Sequence, residues 1–144
     1  MVSPESTILI VQNNTRDLLR LLYAFARIGH LAPIESTGDG IDAVALLEGT
    51  GNYEDRRLFP TPGLVLVDLD LDAGSGFQVL RWIQSSRLAG LPSVVLTRSR
   101  QPQDVQRAYA LGAHEYRVTP SSLLDLCAIV RDLEAYWSLL QKGA

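Results

Sequence analysis

The chain has 144 residues, 47% of them hydrophobic, and a formal charge of −3 at neutral pH, enough to bury one core and too short for a second folded domain. A single domain is therefore expected over residues 1–144, with a folded core at about 6–140. The acidic balance supplies no basic field for nucleic acid or an anionic membrane, which leaves another protein as the expected partner.

Cys127 is the lone cysteine and lies in an apolar run. It offers neither a disulfide framework nor a cysteine metal cluster and suits a reducing compartment. The start, MVSPEST, has no basic head followed by an apolar stretch, and no later run is long and apolar enough to span a bilayer. A cytoplasmic location is expected.

Along the chain, short β-rich runs alternate with segments of helical period, the pattern of a parallel sheet covered by helices on both faces. The first strand is read at Thr7 to Gln12 (TILIVQ), a continuous apolar run suited to burial on both sides. Leu18, Leu21, Leu22, Phe25 and Ile28 then repeat at helical spacing, with Asn14 or Thr15 as the cap and Gly29 as the stop. A weaker strand is expected at Ala32 to Glu35, where Pro33 marks an edge, followed by a helix from Gly40 to Glu48. Residues 49–63, GTGNYEDRRLFPTPG, read as a surface loop. The third strand is Leu64 to Asp68 (LVLVD), followed by a helix burying Val79, Leu80 and Ile83. The fourth is Ser93 to Thr97, followed by a helix from Pro102 to Leu111 closed by Gly112. The fifth is Glu115 to Val118, followed by a long helix from Pro120 to about Leu140.

Right-handed crossovers leave the flavodoxin-like, doubly wound, five-stranded sheet of order 2-1-3-4-5 as the common solution, with its site at the carboxyl ends of the strands. That rule gathers Asn13, Asn14, Asp68, Thr97 and Thr119 around one crevice. Asp68, Asp70 and Asp72 do not make an EF-hand, because Ala73 stands where its glycine is required and Val79 where its final glutamate is. His30 and His114 lack metal-ligand spacing and read as surface residues at helix ends.

The segments ILIVQNN, LVLVDLDLDAGSGFQVL, SVVLTRS, AYALGAHEY and RVTP resemble the receiver domain of two-component response regulators over nearly the whole chain. The resemblance implies that Asp68 occupies the position that accepts a phosphoryl group from a histidine kinase. It implies that Thr97 is the hydroxyl residue that senses that group and Tyr116 the aromatic switch. It also places Asn13 and Asn14 where the family holds Mg²⁺ with an acidic pair, Thr119 where it has a lysine, and Asp72 where it often has proline. AYALGAHEY, DLEAYW and the long loop before the third strand are similar to small single-domain receivers that partner bacterial phytochrome kinases.

Neutral amides are poor ligands for Mg²⁺, and phosphoryl transfer rests on electrostatic stabilisation, so losing a metal site and a cation together makes phosphorylation slow. No cofactor is expected, with Mg²⁺ weak or absent. Arg98 follows the hydroxyl residue, and its guanidinium either pairs with Asp68 or Asp70 or points to solvent. In the last helix Leu123, Leu126, Val130, Leu133, Trp137 and Leu140 form one apolar face, while Ile129 and Tyr136 lie on another. That surplus, with Tyr109, predicts a protein interface and a homodimer. The expected function is thus a non-enzymatic, stand-alone pseudo-receiver acting by protein contact. The alternative is a working phosphoacceptor modified at Asp68 by a histidine kinase. A flavin enzyme on the same fold is disfavoured, because the loop QNNTRD has no glycine for phosphate.

Overall fold

The apolar runs ILIV, LVLV and SVVLT are buried along their whole length and form the three inner strands, as expected for strands covered on both faces. A computed structural model describes residues 7–30, 32–71 and 74–143; Asp72 and the side chain of Leu140 lie outside the described residues. The elements are β1 (Ile8–Val11), α1 (Thr15–Arg27), β2 (Ile34–Thr37), α2 (Gly40–Glu48), β3 (Leu64–Val67), α3 (Gly76–Ser85), β4 (Ser93–Thr97), α4 (Pro102–Ala110), β5 (Glu115–Val118) and α5 (Leu123–Gly143). All strand pairs are parallel and the sheet order is β2-β1-β3-β4-β5, the flavodoxin-like arrangement. No helix among the described residues is long and apolar enough to cross a membrane.

Because strand side chains alternate, each inner strand feeds two cores. Ile8, Ile10, Leu64, Leu66, Val94 and Leu96 pack against α1 and α5, where Phe25 and Trp137 are the largest buried side chains. Leu9, Val11, Val65, Val67 and Val95 pack against α2, α3 and α4. Trp137 also donates its indole N–H to the Gly63 carbonyl at 3.0 Å, tying α5 to the entry of β3.

Several boundaries differ from the sequence reading. The second strand runs from Ile34 to Thr37 instead of Ala32 to Glu35, because proline has no N–H for the ladder; the Pro33 carbonyl instead accepts from Ile8 N–H and starts the pairing. The last helix begins at Leu123, three residues after Pro120, with the Ser122 hydroxyl accepting from Asp125 N–H. Residues 49–63 are a loop that folds back on α2 and contains a 3₁₀ turn at Gly51–Tyr53. Arg56 holds it there, donating to the carbonyls of Leu46, Leu47 and Phe59 at 2.7, 2.7 and 3.0 Å, which satisfies acceptors that the end of a helix leaves open. His30 is a correction: its side chain is only 4% exposed and pairs through Nδ1 with Glu134, joining the end of α1 to α5. His114 is exposed, as expected, and its Nδ1 accepts from Ser93 N–H.

Candidate functional site

The buried run of β3 delivers Asp68 to the carboxyl edge of the sheet, where it is 9% exposed. From the described residues its carboxylate receives three hydrogen bonds. Oδ2 accepts from Gln12 Nε2 at 2.9 Å; Oδ1 accepts from Thr97 Oγ1 at 2.8 Å and from Asp70 N–H at 3.1 Å. The backbone beneath is fixed by the start of α3, where Ser75 and Gln78 form a reciprocal capping box. A Cβ on Gly76 would lie 2.3 Å from the Asp68 carbonyl oxygen, so only glycine permits this close packing of helix on strand end.

Around Asp68 lies an open crevice of about 610 Å³ lined by Gln12, Asn13, Asn14, Asp17, Asp70, Phe77, Arg98, Ser99 and Asp104, among others. Asn13, Asn14, Asp68, Asp70 and Thr97 are thus brought together. Thr119 donates its N–H to the Thr97 carbonyl at 2.7 Å and is not among the lining residues. Asn14 is occupied as the cap of α1, accepting from Asp17 N–H at 2.9 Å. The residue that meets Asp68 from β1 is Gln12, which the sequence reading left inside the strand. Its amide bridges the site, since Oε1 accepts from Asn14 N–H at 3.0 Å while Nε2 serves Asp68. The signal was present in the strand itself: a polar residue ending an otherwise apolar run at the active edge of the sheet.

Arg98 pairs with neither Asp68 nor Asp70. It reaches across the crevice mouth to Asp17 on α1 at 2.7 Å, and that carboxylate raises the guanidinium pKa above its ordinary value. Ser99 donates its hydroxyl to Asp104, and its carbonyl accepts from the Tyr116 hydroxyl at 2.9 Å. Burial raises the Tyr116 phenol above its usual range. Residues 97–99 are therefore tied to β3, α1, α4 and β5 at once. On the neighbouring face Tyr109 is 47% exposed, and its hydroxyl accepts from Tyr116 N–H. Ile129 packs half-buried against the α1–α5 core, and Tyr136 is half-buried. Among the described residues of α1 and α5, the large apolar side chains exposed to solvent are Leu19, Tyr23, Leu123 and Leu124.

A family model for the response regulator receiver domain matches residues 8–131. The chain belongs to that family. Among curated receivers and regulators it is 37% identical over 134 residues to the probable methanogenesis regulatory protein FilR2 of Methanothrix harundinacea, covering 90% of this chain and 82% of that one. It is 34% identical over 138 residues to response regulator Rcp1 of Synechocystis, covering 94% and 90%. Among solved structures, the phosphorylated cyanobacterial phytochrome response regulator RcpA superposes with a TM-score of 0.84 at 29% identity, over 92% of this chain and 94% of that one.

Receivers take Mg²⁺ or Mn²⁺ at the phosphorylation site, and Rcp1 has been crystallised in a Mn²⁺-bound form. The donor set of this receiver fits such an ion badly. Gln12 turns its NH₂ toward Asp68 and commits its oxygen to Asn14 N–H. Asn13 contributes a neutral amide, and both Asp68 oxygens already accept hydrogen bonds. Hard divalent cations prefer anionic oxygens and shed water reluctantly.

Replacing Gln12 with glutamate sets a second carboxylate against Asp68 in a buried place, where like charges repel and a donor is lost. Gln12→Glu is expected to lower the unfolding free energy at pH 7 by about 2 kcal/mol in urea titrations. The deficit shrinks as pH falls, because one carboxyl of a repelling pair takes up a proton and donates to the other. An unchanged midpoint at pH 7 would show that the Gln12–Asp68 bond contributes nothing.

Proposed function

We propose that this receiver is a pseudo-receiver: a cytoplasmic signalling module that acts by protein contact, with little phosphoryl control and no turnover of its own. The observation that carries this reading is the hydrogen bond from Gln12 Nε2 to Asp68 Oδ2 at 2.9 Å. An amide donor stands where phosphoryl chemistry needs a cation, and it supports the carboxylate without one. The ties from Thr97, Arg98 and Ser99 to four different elements support it further, because the loop after β4 is held with Asp68 unmodified.

The family relationship makes a histidine kinase the natural partner class. A second reading, a working phosphoacceptor, is favoured by Asp68 and Thr97, which keep the attacking carboxylate and the hydroxyl beside it. Metal and lysine together neutralise charge that gathers on the transferring phosphoryl group, and losing one such group typically slows a reaction by about 10²–10³.

Incubation with acetyl phosphate and millimolar Mg²⁺ is expected to leave the intact mass unchanged. Introducing carboxylates at the two amides that face the crevice, Gln12→Glu and Asn13→Asp, together with Thr119→Lys is expected to bring measurable Mg²⁺ binding, because the crevice geometry persists. A substantial gain of one phosphoryl mass in the wild type, absent in Asp68→Asn, establishes the phosphoacceptor instead.

The contact surface we assign to self-association is the one built on Tyr109, Ile129 and Tyr136 with the adjoining β5. Tyr109 supplies its exposed aromatic centre, and truncating or charging a central aromatic commonly costs more than about 2 kcal/mol. Sedimentation should show a wild-type homodimer at micromolar concentration, weakened at least tenfold by Tyr109→Glu. A wild type that stays monomeric at hundreds of micromolar removes the homodimer.

A further inference from the structure

Charge is unevenly placed in this chain. Residues 76–112, which include α3, β4 and α4, hold five arginines (Arg81, Arg87, Arg98, Arg100 and Arg107) and a single carboxylate, Asp104, although the whole chain is at −3. That carboxylate lines the crevice, where it accepts the Ser99 hydroxyl. Arg98 is satisfied by Asp17. Arg81 and Arg107 are exposed, and neither forms an ion pair among the described residues.

Two contacts join α3 and α4 and set these guanidiniums in one groove. Arg107 on α4 lies over the Phe77 ring of α3, 4.2 Å from its centroid. Farther along, Gln84 Nε2 donates to the Ala110 carbonyl at 3.3 Å. Arg81 follows Phe77 by one helical turn, so it shares the face that Arg107 covers, with β-carbons about 6 Å apart along α3. A guanidinium stacked on an aromatic ring is held in place and keeps its edge N–H groups free for a planar anion.

We propose that the α3–α4 groove is a docking surface for an acidic segment of a partner protein, with Arg81 and Arg107 each gripping a carboxylate. Guanidinium and carboxylate match as paired donors and acceptors. The charge map favours a short acidic run over a nucleic acid. The groove opens at Phe77 onto the crevice holding Asp68, Asp70, Asp17 and Asp104, and a polyphosphate strand continuing past two arginines meets those carboxylates. The proposal stands apart from the pseudo-receiver reading, since it does not depend on whether Asp68 is modified.

The test uses fluorescein-labelled hexaglutamate and the full chain at low salt, followed by anisotropy and by amide NMR shifts. Shifts are expected to concentrate at residues 77–84 and 103–110. Affinity is expected to fall at least tenfold in Arg81→Glu/Arg107→Glu and clearly in Arg81→Gln/Arg107→Gln, which keeps long side chains on the groove. It is expected to change less than twofold in Arg27→Glu/Arg131→Glu, which alters exposed arginines elsewhere. Circular dichroism establishes that each variant is folded. Equal losses in groove and control variants overturn the proposal, as does the absence of peptide binding up to millimolar concentration. Tighter groove-dependent binding of a thymidylate 20-mer or of phosphatidylglycerol vesicles also overturns it, by assigning the arginines to phosphate.

Discussion

Asp68 closes a strand whose other residues are wholly buried, and its carboxylate shares their seclusion. An isolated charge in such a place is costly, and it is tolerated when hydrogen-bond donors replace the water that was lost. Here they come from three directions: the amide of Gln12 after β1, the hydroxyl of Thr97 at the end of β4, and the backbone N–H of Asp70. The central strands are thereby joined at their functional edge by side chains as well as by the ladder. A divalent ion placed there would have to displace bonds already made.

The loop after β4 inherits its position from that arrangement. Its strongest tie is Thr97 to Asp68, buried and charge-assisted, of a kind that contributes about 1.5–3 kcal/mol. The Arg98–Asp17 bridge is shorter at 2.7 Å, yet the arginine side chain is 57% exposed, and exposed pairs typically contribute about 0–1 kcal/mol and weaken with salt. The bridge orients the mouth of the crevice more than it holds it shut. Tyr116, bonded to the Ser99 carbonyl, and Ser99, bonded to Asp104, complete a loop with partners on both sides.

The architecture was legible in the sequence because two periodicities carry it. Continuous apolar runs became the inner strands, and helical repeats such as Leu21 and Phe25 or Val79, Leu80 and Ile83 became the buried helix faces. Boundaries failed where one residue's chemistry overrode the pattern, as at Pro33, whose missing N–H delayed the second strand to Ile34. In the site, Asp68 and Thr97 were legible from their place at strand ends. Gln12 was not, because a glutamine closing an apolar run reads as the end of a strand, and the adjacent Asn13 and Asn14 attracted the assignment. Asn14 in fact serves the helix as its cap. The partners of Arg98 and His30 were illegible for another reason: Asp17 and Glu134 lie 81 and 104 residues away in the chain, and only the completed fold brings them into reach.

The central claim is that Asp68 and the loop after β4 are already held together without a phosphoryl group. Its most direct test is the amide NMR spectrum of the protein before and after addition of beryllium trifluoride with Mg²⁺, a phosphoryl mimic for carboxylates. Unmoved signals from Thr97 to Gln101 and from Tyr116 are the expected result. Large, saturable shifts of those signals that disappear in Asp68→Asn would contradict the claim and show a receiver that still switches.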